Sequence, residues 1–141
     1  MRFPRFVVCV LVTLFMPFAA QAGDAVREAQ TIISGQIAAF LKDDASAAYA
    51  FASPEIKSRF PDAETFFGMV KKSYGPVYKP GNYAFGRNQS AADGSRVFQE
   101  VLISDPKGVS WAAFYDLVRQ PDGKFVINGV RMARDTVNQG I

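Results

Sequence analysis

Two similar turn motifs in the C-terminal half of the chain constrain its fold more than any other feature. Pro106-Lys107-Gly108 and Pro121-Asp122-Gly123 each fit a three-residue hairpin loop, in which a type I turn is followed by a glycine in the left-handed conformation. Such loops join antiparallel strands. The strands are predicted at about Arg96–Ser104, Val109–Arg119 and Lys124–Arg134, with a weaker one at Tyr83–Arg87.

The two turns also set which residues share a face of the sheet. If each loop contains three residues, Asp105 pairs with Val109 and Gln120 pairs with Lys124, and side chains alternate between the faces from there. The first face is predicted to carry Val97, Gln99, Val101, Ile103, Trp111, Ala113, Tyr115, Leu117, Phe125, Ile127 and Arg131. The second is predicted to carry Phe98, Glu100, Leu102, Ala112, Phe114, Asp116, Val118, Val126, Asn128, Val130 and Met132. The first face has no carboxylate and holds the only tryptophan, so we expect it to pack against helices.

The second face combines two carboxylates, Glu100 and Asp116, with large apolar side chains. Monomeric proteins seldom expose so continuous an apolar surface. We therefore expect this face to be covered, most simply by a second copy of the chain in a homodimer. A curled C-terminal segment is the alternative cover. The interface candidates are Phe98, Phe114 and Met132.

Helical periodicity precedes the strands. Apolar residues recur at three- and four-residue steps from Ala29 to Leu41, which predicts a first helix over about Ala25–Lys42. Shorter helices are predicted after the capping residues Asp43 or Asp44, Ser53 and Asp62. Helices followed by strands, rather than alternating with them, indicate an α+β domain with N-terminal helices packed on an antiparallel sheet.

The order of residues at the N-terminus is typical of a secretory signal peptide. Arg2 and Arg5 precede an apolar stretch from Phe6 to Phe18, and Ala20-Gln21-Ala22 supplies the small residues that a signal peptidase reads. As a helix, the thirteen residues of this stretch would rise about 20 Å, too short for a hydrocarbon core of about 30 Å. We predict cleavage after Ala22, a periplasmic or secreted location and no stable membrane insertion afterwards. A single α+β domain is predicted over 23–141, with an ordered core at about 25–134.

The composition of the mature chain limits its chemistry. Without residues 1–22 the chain has 119 residues, with 14 basic against 13 acidic side chains and neither cysteine nor histidine. The near-neutral charge argues against nucleic acid as a partner. The missing residue types remove disulfides and the commonest metal ligands and general bases. Any catalysis would rest on carboxylates, tyrosines, lysines or arginines, and we predict no metal and no cofactor.

A pocket between the helices and the first sheet face is the expected ligand site. Its candidate ligand-binding residues are Tyr49, Trp111, Tyr115 and Arg131. The tyrosine hydroxyls could donate hydrogen bonds into the pocket. Arg131 could meet an anionic ligand at the pocket mouth or pair with a helix carboxylate. No catalytic residue is assigned, since Asp43-Asp44 is interpreted as a helix cap whose two side chains point about 100° apart.

Short stretches along the chain carry a further signal. In the helical half they are Gln36-Ile37-Ala38-Ala39-Phe40, Asp43-Asp44, Ala47-Ala48-Tyr49-Ala50-Phe51-Ala52-Ser53-Pro54-Glu55-Ile56 and Phe66-Phe67-Gly68-Met69-Val70. In the strand half they are Trp111-Ala112-Ala113-Phe114-Tyr115, Gln120-Pro121-Asp122-Gly123 and Ile127-Asn128-Gly129. Together they resemble a bacterial family of uncharacterised domains, domain of unknown function 4864. The element order also resembles the nuclear-transport-factor-2-like (cystatin-like) fold, which implies a cone with a curved sheet and a pocket at its wide end. The family resemblance implies no activity.

Three functions are consistent with the sequence. The favoured one is a non-enzymatic exported domain that binds or scaffolds a small, partly apolar ligand or a peptide, because the predicted core face is rich in aromatic residues and catalytic residue types are scarce. The second is a carboxylate/tyrosine-based isomerase, dehydratase or hydrolase, which requires an acid beside a tyrosine hydroxyl in a closed cavity. The third is a structural partner in an envelope complex, which requires a core filled to its mouth.

Overall fold

The computed structural model describes residues 18–135, with side chains from residue 22 onward. The helices are α1 (Phe18–Leu41), α2 (Ala45–Ala50), α3 (Pro54–Arg59), α4 (Ala63–Ser73) and α5 (Gly75–Tyr78). The strands are β1 (Asn82–Ser90), β2 (Arg96–Ser104), β3 (Ser110–Arg119) and β4 (Phe125–Arg134). They form one antiparallel sheet in the order β1-β2-β3-β4. The predicted α+β arrangement is confirmed, whereas residues 1–17 of the predicted signal peptide lie outside the described residues.

Helix α1 packs along the sheet through one apolar stripe. The stripe is buried at Ala29, Ile33, Ile37 and Phe40, as the three- and four-residue spacing predicts. Helix α1 is already helical at Phe18, the first described residue, and therefore includes residues before the predicted start near Ala25. Leu41, which the sequence places in the same stripe, is 47% exposed, because it follows Phe40 by one residue and therefore points about 100° away from it.

Three of the short helices begin at side-chain caps, as predicted. Asp44, Ser53 and Asp62 each accept a hydrogen bond from the main-chain N–H three residues later. Each bond satisfies one of the N–H groups that a helix start leaves without an intrahelical partner, which contributes about 1 kcal/mol. Helix α4 ends at Ser73 and is followed by the short helix α5, which the sequence pattern did not indicate.

Both predicted hairpin turns are confirmed. Gly108 and Gly123 adopt φ angles of +81° and +85°, the left-handed conformation that the third loop position requires. The N–H of Asp105 donates to the Val109 carbonyl oxygen at 2.9 Å, and the N–H of Gln120 donates to the Lys124 carbonyl oxygen at 2.8 Å. The predicted register of β2 against β3 and of the first part of β4 follows from these pairs.

A β-bulge in β4 overturns the second part of that register. Leu117 pairs with Ile127, whereas Asp116 pairs with Gly129, so Asn128 is an extra residue on β4. One extra residue exchanges the faces of every side chain beyond it. The prediction was therefore wrong for two of the site candidates: Arg131 shares the face of Phe114, and Met132 packs against the core.

The sheet thus has an inner face toward the helices and an outer face away from them. The inner face is buried at Val97, Val101, Ile103, Ala113, Tyr115, Leu117, Phe125 and Ile127. On the outer face Phe98 is 48% exposed and Leu102 is 40% exposed. A second bulge, in β1 between Phe85 and Asn88, adds to the curvature of the sheet.

Candidate functional site

A cavity of about 300 Å³ lies between the helices and the bulged part of β4. Its apolar lining comes from α1, α3, the α3–α4 loop and α4, chiefly Phe40, Ile56, Phe60, Phe66, Met69 and Val70. Its polar lining is Gln36, Arg59, Tyr74 and Asn128. This volume is at the lower end of the range for small-molecule sites, which are typically apolar with a few polar groups.

Main-chain pairing across the cavity wall joins α3 to β4. Ile127 donates its N–H to the Phe51 carbonyl oxygen at 2.8 Å and accepts from the N–H of Ser53, also at 2.8 Å. Ser53 then caps α3, and Pro54 occupies the first helical position, where a missing N–H costs nothing. The helix that carries Ile56 and Arg59 is therefore anchored at its N-terminus to the strand that forms the opposite wall.

The polar groups of the cavity differ in exposure. Gln36 is buried, and its side-chain nitrogen donates to the Ala48 carbonyl oxygen at 3.1 Å, which holds its amide in place. Arg59 lies at the mouth, 69% exposed, and forms an ion pair with Glu55 at 3.0 Å. Among the described residues, the lining includes no aspartate or glutamate. The arrangement suits an apolar body with a polar or anionic end directed toward Arg59.

The four predicted ligand-binding residues do not meet at this cavity. Tyr49 packs on Phe66 from outside the lining, and its hydroxyl donates to the Phe60 carbonyl oxygen at 2.5 Å. Tyr115 is completely buried in the core, and its hydroxyl has no hydrogen-bond partner within residues 18–135. Burial raises the pKa of the Tyr115 phenol above its ordinary value. Neither tyrosine donates into the cavity.

The other two candidates lie on different surfaces. Trp111 is at the start of β3, where its indole N–H donates to Asp105 at 3.2 Å beside a shallow groove at the end of the sheet. Arg131 lies on the outer face, because of the bulge, and its guanidinium stacks 4.4 Å from the centre of the Phe114 ring. Arg131 forms no ion pair with a helix carboxylate in the described part of the chain.

The outer face carries a wider groove of about 760 Å³, which Phe98, Phe114 and Arg131 help to line. Glu100 accepts hydrogen bonds from the Arg87 side chain and main chain, and these bonds lower the pKa of the Glu100 carboxyl group. The second carboxylate of this face, Asp116, accepts two hydrogen bonds from Arg96, at 2.8 and 2.6 Å. Both carboxylates are thus paired with arginines, and they are not opposite each other in the sheet.

A tyrosine and a carboxylate do meet, but on the surface. The Tyr78 hydroxyl donates to Asp43, which also pairs with Lys79 at 3.2 Å. The hydrogen bond from Tyr78 lowers the pKa of Asp43 and raises that of Tyr78. A general base that works near neutral pH needs the opposite shift at its carboxyl group. The interaction instead stabilises the end of α1, together with hydrogen bonds from Lys79 to the carbonyl oxygens of Phe40 and Leu41.

Residues 18–135 contain no cluster of three or more histidine, cysteine, aspartate or glutamate side chains that could hold a metal ion. Within the same range, every helix is too short or too polar to span a bilayer.

Sequence reasoning missed Gln36, Arg59, Tyr74 and Asn128 as lining residues. Gln36 interrupts the apolar stripe of α1, and a polar residue at a buried helical position signals a specific partner. Asn128-Gly129 inside a predicted strand is a composition that suggests a bulge. Arg59 and Tyr74 had no comparable signal, because only the packing of α3 and α4 brings them to the same opening.

Comparison with known proteins adds one result to this geometry. A family model described as a domain of unknown function (DUF4864) matches residues 22–140. No curated protein and no solved structure matches the chain.

Proposed function

The chain belongs to the family of domain of unknown function 4864, as its sequence stretches predicted, and from this premise we propose that the domain is a non-enzymatic binding protein for a small, partly apolar molecule. The observation that carries the proposal is the cavity of about 300 Å³ between the helices and β4. A structural partner with a filled core would not need this space. A carboxylate/tyrosine enzyme would need an acid within it, and the cavity lining described here has none.

The polar groups specify the ligand class. An apolar body contacts side chains such as Phe66 and Met69, while a carboxylate or other anionic end lies near Arg59 at the mouth. Gln36 offers an amide at the buried end. A medium-chain carboxylic acid such as octanoate has this combination of properties and serves as a probe.

The test compares octanoate with octan-1-ol by chemical-shift perturbation of isotopically labelled protein. We expect both probes to shift the methyl signals of Met69 and Val70, with octanoate binding more tightly. Arg59→Gln is expected to weaken octanoate binding about threefold to tenfold and to leave octanol binding unchanged, since an exposed charge contributes modestly. Met69→Trp, which fills the cavity, is expected to abolish binding of both probes. Lys72→Trp adds the same side chain to the surface of α4 and is the matched control. Absence of cavity shifts with either probe would exclude the proposal.

Our proposal for the overall shape is a nuclear-transport-factor-2-like cone. The support is the order of elements, the two bulges that curve the sheet, and the position of the cavity between the helices and the bulged strand. An experimental structure in which the sheet is flat would contradict it.

We further propose export and cleavage after Ala22. The family match begins at residue 22, and Ala25 is the first buried residue among those of α1 whose side chains are described, which supports a domain core beginning close to the proposed cleavage site. Mass spectrometry of protein recovered from the native envelope fraction is expected to find Gly23 as the N-terminal residue. Recovery of the uncut chain in the cytoplasm would contradict the proposal.

The outer face is proposed to pair with a second copy of the chain. Two of the three exposed large apolar side chains of the described region, Phe98 and Leu102, are on this face. Arg96 and Arg131 stack on Phe98 and Phe114, so the surface is apolar with charged edges. Phe98→Glu is expected to convert the dimer to a monomer in sedimentation measurements, whereas Leu41→Glu, on α1, leaves it dimeric. A wild-type monomer at millimolar concentration would exclude the dimer.

A further inference from the structure

The edge of the sheet at β4 has unpaired main-chain groups. In an antiparallel pair, alternate residues of one strand bond to the neighbour and the residues between them point away. Asp135 donates its N–H to the Ser110 carbonyl oxygen at 3.1 Å, and this pair sets the alternation along β4. Val130, Met132 and Arg134 therefore direct their N–H and C=O groups away from β3. Within residues 18–135, no hydrogen bond satisfies these groups on that side.

The rest of this edge is already used by the chain itself. At Ile127 the segment Phe51–Ser53 pairs with β4 in parallel orientation, as an isolated bridge that ends where α3 begins. The chain thus shows that the β4 edge accepts an extended segment. Among residues 18–135, no segment pairs in this way with the following part, Val130–Arg134.

The free part of the edge is adjacent to two concave surfaces. The cavity on the inner side and the groove on the outer side are both lined by Gly129 and Val130. An added strand would direct alternate side chains to the inner and the outer side of the sheet. It could therefore place apolar side chains beside the cavity while those between them lie over the groove.

The two arginines of this edge lie on different sides of it: Arg131 is on the outer side, whereas Arg134, which pairs with Trp111, is on the inner side at the end of the strand. Arg131 and Arg134 stack on Phe114 and Trp111, with guanidinium carbons 4.4 and 5.5 Å from the ring centres. Neither arginine takes part in an ion pair among the residues that the structure describes, although six other basic side chains do. No acidic residue occurs in β4. An occupant with acidic side chains on its outer side would complement Arg131.

We propose that β4 binds an extended peptide segment of a partner protein as a fifth strand over Val130–Arg134. The segment alternates apolar side chains, which face inward, with acidic side chains, which face Arg131. This inference goes beyond the proposed small-molecule site, because it uses the main chain of the strand edge rather than the interior of the cavity.

The probe is the acetylated and amidated heptapeptide Glu-Val-Glu-Leu-Glu-Val-Glu, added to isotopically labelled protein. We expect at least tenfold slower amide hydrogen exchange at Val130, Met132 and Arg134, whose N–H groups gain an acceptor. The N–H groups of Arg131 and Ala133 already point toward β3 and are internal controls. Slowing that is absent, or that occurs equally at all five residues, would overturn the proposal.

Modified peptides distinguish strand addition from nonspecific association with the protein surface. Methylation of the main-chain nitrogens of alternate peptide residues blocks hydrogen bonds on one side of the strand only. One of the two alternate methylation patterns is expected to weaken binding at least tenfold, and the other is expected to be tolerated. The same peptide with lysine in place of glutamate is expected to bind at least tenfold more weakly. Equal binding of both methylated peptides would contradict the inference.

Protein variants complete the test. Arg131→Glu is expected to weaken peptide binding at least tenfold, whereas Lys124→Glu, an equal charge change in the β3–β4 turn, is expected to change it less than twofold. If the β4 amides become protected with rising protein concentration and no peptide, the occupant is a second copy of the chain and the proposal fails. Octanoate enters the cavity without protecting Met132, so failure of this inference is distinguishable from failure of the small-molecule proposal.

Discussion

The Tyr49 hydroxyl donates a 2.5 Å hydrogen bond to the main-chain carbonyl oxygen of Phe60, and this bond connects α2 to the wall of the cavity. The ring of Tyr49 packs 5.5 Å from that of Phe66, another lining residue. Tyr49, which was predicted to contact a ligand, therefore stabilises two lining residues without itself lining the cavity.

Tyr49→Phe tests this supporting role. The substitution keeps the ring contacts and removes the hydroxyl that donates to the Phe60 carbonyl oxygen, so we expect the free energy of unfolding to fall by about 1 kcal/mol. Urea denaturation measures the change. Tyr83→Phe is the control, since no residue in the described range bonds to its hydroxyl, and we expect a change below about 0.5 kcal/mol. Equal effects of the two substitutions would contradict the supporting role.

The buried Tyr115 hydroxyl predicts an unusual gain of stability. The hydroxyl loses its water on folding and finds no hydrogen-bond partner among residues 18–135. Replacing tyrosine by phenylalanine removes this cost while the ring remains in place. Tyr115→Phe is therefore expected to raise the free energy of unfolding by about 1 kcal/mol. A loss of stability in thermal or urea denaturation would show that the hydroxyl has a partner.

The same residue predicts a loss of stability at alkaline pH. Burial raises the pKa of Tyr115 in the folded protein, whereas in the unfolded chain it ionises near its ordinary value of about 10. Above that pH the unfolded state binds fewer protons, so stability falls as pH rises, by up to about 1.4 kcal/mol per pH unit. Tyr115→Phe lacks this contribution. Urea midpoints of the two proteins should change in parallel from pH 8 to about pH 10, and above that pH the midpoint of the wild type should fall more steeply. Parallel curves up to pH 11 would refute the prediction.

Asp43 predicts a loss of stability in acid. Its φ angle of +54° is left-handed, and hydrogen bonds from Tyr78 and Lys79 lower the pKa of its carboxyl group. The contribution of the charged group is thus complete above the unfolded pKa of about 4 and is lost as pH falls through the lower folded value. Asp43→Asn tolerates the left-handed backbone and is expected to lose this part of the pH dependence. Asp43→Ala is expected to be less stable than Asp43→Asn at pH 7, because alanine lacks both the backbone tolerance and the hydrogen bond.

Two glycine substitutions are expected to have opposite effects. Gly123 has a φ angle of +85° in the β3–β4 turn, where a Cβ atom is strained, so Gly123→Ala is expected to cost about 1–2 kcal/mol. Gly68 is in α4, and an added Cβ atom would meet nothing within 4 Å. Gly68→Ala is expected to stabilise the protein by about 0.5–1 kcal/mol, because alanine loses less backbone entropy in a helix. Thermal denaturation of both variants, compared with the parent, gives the signs.

Local chemistry explains where the sequence prediction succeeded. A left-handed glycine or a capping carboxylate acts within three or four residues, so Gly108, Asp44 and Asp62 could be interpreted without knowledge of distant contacts. The register of β2 against β3 followed from one such turn. The prediction failed for Arg131 and Met132, because Asn128-Gly129 favours a bulge without requiring one, and the pairing of β4 with β3 decides whether the bulge forms.

The sequence by itself determined the helices-then-strands order, the caps, both hairpins and the family. Only the tertiary structure decided which face Arg131 occupies, that Tyr115 is sealed in the core, and that Gln36 and Arg59 reach one cavity. The physical reason is the distance along the chain over which each feature is determined. Turns and caps are closed by hydrogen bonds between near neighbours, whereas a cavity is what remains when helices and sheet pack, and its lining depends on every long-range contact at once.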